Sequence, residues 1–94
     1  MITYKAAYKL DDDGVDAVVL DFPGVFSCGE DLEEARVMLA DALIAVAKTN
    51  ILLGEPLAVP NPQFEDASFD IFEPIHLFLN AYSQRQPELV KTTK

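Results

Sequence analysis

The chain has 94 residues, half of them hydrophobic and 24% charged, with sixteen acids against seven Lys and Arg and a net charge of −9. That length fits one domain around one core. The composition excludes a disordered chain, no apolar run reaches the roughly 20 residues of a membrane-crossing helix, and the negative charge opposes phosphate backbones, so direct nucleic-acid binding is disfavoured.

The first ten residues, MITYKAAYKL, lack the basic-then-apolar pattern of a secretory leader, because Lys5 and Lys9 interrupt it. A cytoplasmic location is therefore expected. Residues 2–10 alternate loosely and carry Ile2, Tyr4 and Tyr8, which favour a strand. The DDDG run of residues 11–14 follows, and an Asp-Gly pair between two strand-like runs signals a hairpin. Asp11, Asp12 and Asp13 read as its solvated tip. A calcium loop needs alternating acids and a later Glu, which this run lacks. Residues 15–22, VDAVVLDF, resume as a second strand, closed by the Pro23-Gly24 turn. Val25, Phe26, Ser27 and Cys28 suit a third strand that ends at Gly29. These three strands make an antiparallel meander.

The single cysteine, Cys28, excludes an internal disulfide, and it reads as a small half-buried strand residue. One cysteine and one histidine, His76, give no set of metal ligands and no nucleophile with a base beside it. No catalytic residue, metal or other cofactor is expected.

The clearest helix spans Asp31 to about Asn50. Asp31 stands at the N-cap with Glu34 three residues on, the form of a capping box. Glu30, Asp31, Glu33 and Glu34 gather where the helix dipole favours negative charge. Leu32, Ala35, Leu39, Ala42, Leu43 and Val46 recur at helical spacing and predict the face turned to the sheet. Val37, Met38 and Ile44 are apolar but off that stripe, which predicts a second neighbour and marks them as candidate oligomer contacts. A dimer or higher homo-oligomer is expected.

Gly54 and three prolines, at positions 56, 60 and 62, predict an extended connection. Residues 73–81, EPIHLFLNA, alternate as a fourth strand, with a helix beginning at Pro74 as the rival reading. The fold class is thus α+β, in the order β-β-β-α-β, with the long helix on one face of the sheet. The domain is expected to cover residues 1–82, with residues 83–94 a flexible tail.

The order of these motifs resembles the HicB family of antitoxins, whose usual pattern is an aromatic-rich first strand, then roughly DLPGC-S-GDT-EEA, a helix, and G-x-x-IP-P. Asp21, Pro23 and Gly24 stand for the turn, and Ser27 and Gly29 for the S-G step. Asp31, Leu32, Glu33, Glu34 and Ala35 stand for the helix start, and Gly54, Pro60 and Pro62 for the connection. Val25 replaces a frequent cysteine, and Asp31 replaces the usual Thr or Ser cap.

The resemblance implies a truncated ribonuclease-H-like fold without nuclease activity. It implies a role in neutralising a small basic HicA-like ribonuclease toxin that cleaves messenger RNA. Many family members carry a C-terminal DNA-binding segment, which the thirty or so residues after Pro62 leave no room for, so operator binding is not expected. The toxin is cationic, so the candidate partner-binding residues are the acids Asp11, Asp12, Asp13, Glu30 and Glu33, arranged as a charged rim around apolar contacts. Two other readings compete. One is a solitary oligomeric binding module of the same fold, with neither toxin nor DNA partner. The other is an enzyme built on Asp16 and Asp21, which requires those carboxylates to converge.

Overall fold

Five elements follow one another: β1 (Ile2–Asp11), β2 (Gly14–Val19), β3 (Phe26–Gly29), α1 (Leu32–Leu52) and β4 (Ile71–Leu77). The structure, a computed structural model, describes residues 1–79. The expected tail over residues 83–94, and the last two residues of the expected fourth strand, lie outside the described residues. The four strands form one antiparallel sheet in the order β3-β2-β1-β4. The α+β order expected from the sequence is the one observed. No described helix is long and apolar enough to cross a membrane.

The two faces of the sheet follow from strand alternation. Tyr4, Ala6 and Tyr8 of β1, Val15, Ala17 and Val19 of β2 and Leu77 of β4 are buried toward α1. Lys5, Ala7 and Lys9 take the opposite face. On the helix, Ala35, Leu39, Leu43 and Ala47 are buried, flanked by partly buried Leu32, Ala42 and Val46. The expected stripe therefore faces the sheet, extended by Ala47. The Tyr4 and Phe22 rings meet at 5.2 Å with planes tilted by 56°, an edge-inclined geometry favoured by aromatic quadrupoles.

The helix ends are built by local chemistry. Asp31 adopts an extended conformation, and its Oδ1 accepts from the Glu34 backbone N–H at 2.8 Å. Glu34 reaches back in return, its Oε1 accepting from the Glu30 N–H at 2.7 Å. At the other end the Gly54 N–H bonds the Ile51 carbonyl and the Glu55 N–H bonds the Asn50 carbonyl, a Schellman closure with Gly54 at φ +73°.

Four expectations are corrected in detail. The hairpin loop is Asp12-Asp13, with Gly14 opposite Asp11 as the first residue of β2. β3 begins at Phe26 and includes Gly29, because Val25 belongs to a turn in which its N–H bonds the Phe22 carbonyl. Cys28 is exposed, since it pairs with Asp16 on the face turned away from the helix. The fourth strand starts two residues earlier than expected, at Ile71, and contains Pro74 as expected. That proline is tolerated for a specific reason. The Lys5 N–H and C=O both point toward the β2 side, to Asp21 and Leu20. Lys5 and Pro74 are thus a pair without mutual hydrogen bonds, and the Pro74 nitrogen faces away from β1.

Residues 55–70 cross from the helix to β4 over the sheet. Tyr4 Oη donates to the Ala58 carbonyl at 2.6 Å. Lys5 Nζ donates to the Pro62 and Phe64 carbonyls, both at 2.8 Å, and Lys9 Nζ to the Ser68 carbonyl at 2.9 Å. This strap covers Ala7, which is fully buried although it points away from the helix.

Candidate functional site

Two glycines decide where the acids stand. Gly14 has φ +148°, and a Cβ built there would lie 2.7 Å from the Gly29 carbonyl oxygen. A Cβ on Gly29 would lie 2.5 Å from the Ala35 backbone nitrogen. Hairpin tip, β3 end and helix start are therefore stacked backbone against backbone, with no room for a side chain between them. Asp11, Asp12 and Asp13 from the tip and Glu30 and Glu33 from the helix start, all exposed, share one pole of the domain as a result. The sequence placed these acids in two separate groups, and the fold joins the groups into one surface.

Within that pole the acids differ. Asp11 Oδ1 accepts from the Asp13 and Gly14 backbone N–H groups at 2.8 and 3.0 Å, so it shapes the turn while its other oxygen is left for contacts. Asp31 and Glu34 serve the helix cap. Asp12, Asp13, Glu30 and Glu33 have no such duty in the capping and turn bonds. Asp70 stands nearby, its Oδ2 accepting from the Leu10 N–H at 2.8 Å. Leu10, 48% exposed, supplies an apolar side chain beside this charge. Among the described residues no three His, Cys, Asp or Glu converge to hold a metal ion.

The opposite end of β1 uses carboxylates differently. Asp21 is 7% exposed. Its Oδ1 accepts from the Lys5 N–H and its Oδ2 from the Asn61 N–H, both at 2.9 Å. One side chain thereby ties the turn after β2 to β1 and to the strap near Pro60 and Pro62. Asp16 points to solvent from the middle of β2. The pair considered from sequence as a carboxylate cluster does not converge: Asp16 is exposed, whereas Asp21 is buried in the turn after β2 with both oxygens taken by backbone N–H groups. Beside Asp21 lies a recess of about 500 Å³ walled by Lys5, Pro60, Pro62, Phe72 and Pro74. Its Lys5 ammonium is already bonded to strap carbonyls, so the recess presents mainly apolar walls. No local motif announced it, because its walls come from β1, β4 and the strap.

A third carboxylate environment lies between helix and sheet. Glu73 faces the helix side and receives Arg36 through two hydrogen bonds of 2.9 Å. The guanidinium holds the Glu73 carboxyl below the usual carboxylate range. Burial, reinforced by the negative Glu73, pushes the Tyr8 phenol up to about 12.

Of the expected oligomer contacts, Val37, Met38 and Ile44 are 57%, 44% and 40% exposed and lie on the helix face opposite the core. Ser27 is half-buried in β3. Pro23 and Gly24 form the two central residues of a turn in which Gly24 takes φ +90°, as a type II turn requires.

No protein-family model matches the chain, and no curated protein sequence matches it. Solved structures do. The antitoxin HicB of Burkholderia pseudomallei is similar with a TM-score of 0.69 and 22% identity, over 100% of this chain and 76% of that one. The N-terminal domain of the Burkholderia pseudomallei antitoxin HicB gives 0.63 and 22%, over 83% of this chain and 100% of the domain. A chain of the HicA3 and HicB3 toxin-antitoxin complex gives 0.56 and 20%, over 63% and 69%. The motif resemblance and the structural likeness, reached separately, agree: this chain has the fold of the HicB antitoxins.

Proposed function

We propose that the chain is the antitoxin of a toxin-antitoxin pair, neutralising a small basic HicA-like ribonuclease by binding it and not by chemistry of its own. The observation that carries this reading is the acidic pole, where the fold joins two groups of acids beside exposed Leu10. A ribonuclease that grips RNA presents a cationic surface, and a pole of opposite sign accelerates the encounter and covers that surface. A structure of similar fold comes from a complex with HicA3, which supports a partner of that kind. Leu10 gives the contact an apolar centre, and the acids form its rim.

The test is RNA cleavage by a small basic HicA-like ribonuclease sought in the reading frame beside this chain's, with and without an equimolar amount of the chain. Cleavage should be suppressed and the two proteins should co-elute on a sizing column. Changing Asp11, Asp12 and Asp13 together to Asn keeps a carbonyl acceptor for the turn. It should leave the fold unchanged while lowering the association rate about tenfold at low salt. Undiminished cleavage with no complex would remove the antitoxin reading and leave the solitary module.

A further inference from the structure

Apart from Glu34 near its start and Asp41 and Lys48 on its midline, the outer face of α1 is largely apolar. Val37, Met38, Ile44, Ile51 and Leu52 are all exposed, and they recur at spacings of seven, directly opposite the buried stripe of Ala35, Leu39, Leu43 and Ala47. A helix apolar on both faces has a second neighbour. Two charges, Asp41 and Lys48, sit in the middle of this stripe, one turn either side of Ile44 and Ala45, and both are exposed.

The arrangement is self-complementary in one direction only. We propose that two copies of this chain pack α1 against α1, antiparallel, about a two-fold axis passing between Ile44 and Ala45. In that register Ile44 of one copy meets Ala45 of the other, Met38 meets Ile51, and Val37 meets Leu52. Asp41 of each copy meets Lys48 of the other, giving two ion pairs related by the axis. A parallel pairing in register sets Asp41 against Asp41 and Lys48 against Lys48, which is repulsive twice. The small Ala45 at the axis lets the two backbones approach closely. The surface is isologous, so it closes at two copies and does not propagate.

This dimer is independent of the antitoxin reading. It uses the face of the helix opposite the sheet, and in this register Glu30 and Glu33 lie beyond the helix overlap, leaving the acidic pole open. The contact is one helix wide, at the small end of specific interfaces, and its dissociation constant belongs in the micromolar range.

Sedimentation equilibrium on the full chain, without any toxin, tests the register. The native chain should dimerise across roughly 1–200 µM. Asp41→Lys and Lys48→Asp alone should each weaken the dimer at least about tenfold, and the double exchange should return it to within a few-fold of native. All three are surface changes, and unchanged circular dichroism verifies the fold. Thiol cross-linking in a Cys28→Ser background fixes the direction. Met38→Cys mixed with Ile51→Cys should link through a short bismaleimide. Met38→Cys alone should not, because the antiparallel register sets the two Met38 positions about 20 Å apart along the helices. A monomer throughout the range, single and double charge variants of equal affinity, or efficient linking of Met38→Cys to itself would each overturn the proposal.

Discussion

The two ends of β1 hold the same kind of side chain in opposite states. At the hairpin end, Asp12, Asp13, Glu30 and Glu33 stand in solvent, crowded together by the backbone contacts of Gly14 and Gly29. At the other end Asp21 is buried and both its oxygens are held by backbone N–H groups. The first arrangement concentrates charge where a partner can reach it. The second has charge turned inward to fix the strap. An acid's role in this fold is set by whether backbone donors reach it, and neither composition nor local motif carries that information.

The contrast is broken most severely at Gly29. Gly29→Ala forces a methyl to within 2.5 Å of the Ala35 nitrogen, so the helix start must move off β3. The expected loss is about 2–4 kcal/mol in urea unfolding, and any fraction that folds should bind a cationic partner more weakly, because the pole is pulled apart. A glycine needed only for turn flexibility would not behave this way.

Asp21→Ala comes next. It leaves the Lys5 and Asn61 N–H groups without their acceptor and should cost about 2–3 kcal/mol, with Asp21→Asn intermediate. Strap protection should fall with it, read as faster amide hydrogen exchange at Asn61. None of the acids at the pole should have this effect on stability when changed singly to Asn.

Glu73 sharpens the comparison as the intermediate case, partly exposed and paired with Arg36. Its folded-state carboxyl is held below its ordinary value near 4.5. The pairing therefore stabilises the fold above that pH and is lost as pH falls through the lowered folded value. Native and Glu73→Gln chains should differ slightly at neutral pH and converge in acid, as followed by thermal unfolding from pH 7 down to 2. The effect is the smallest of the three, because the pair is open to solvent. A difference that grows in acid would have the wrong sign and would refute the assignment.

Sequence reading reached those parts of the fold whose signals are local. The capping pair Asp31 and Glu34 and the stripe from Leu32 to Val46 are each written within a few residues and stand where expected, and the DDDG run makes a hairpin whose loop, Asp12-Asp13, differs from the expected one only in that Gly14 already belongs to β2. The site was legible only as two disconnected groups of acids. Their meeting depends on Gly14 lying against Gly29, a contact fixed by the β2–β3 register. Asp21 could be seen as part of a turn motif, but its partners lie 16 and 40 residues away. The early start of β4 was hidden for a similar reason: Ile71 and Phe72 join the strand by pairing with Tyr8 and Ala7 of β1, far away in sequence. Pro74 fits within it because Lys5 directs its own polar groups to β2 and asks nothing of Pro74.

That proline has a consequence for crowded solutions. Among the described residues β4 is one margin of the sheet, and another chain extends the sheet there only by matching a row of donors and acceptors. Pro74 interrupts that row on its outward side, where a donor would stand. At the concentrations that bring two helices together, the margin thus offers a broken template for strand addition. Self-association through the helix can then stop at two copies without the sheets fusing into fibres.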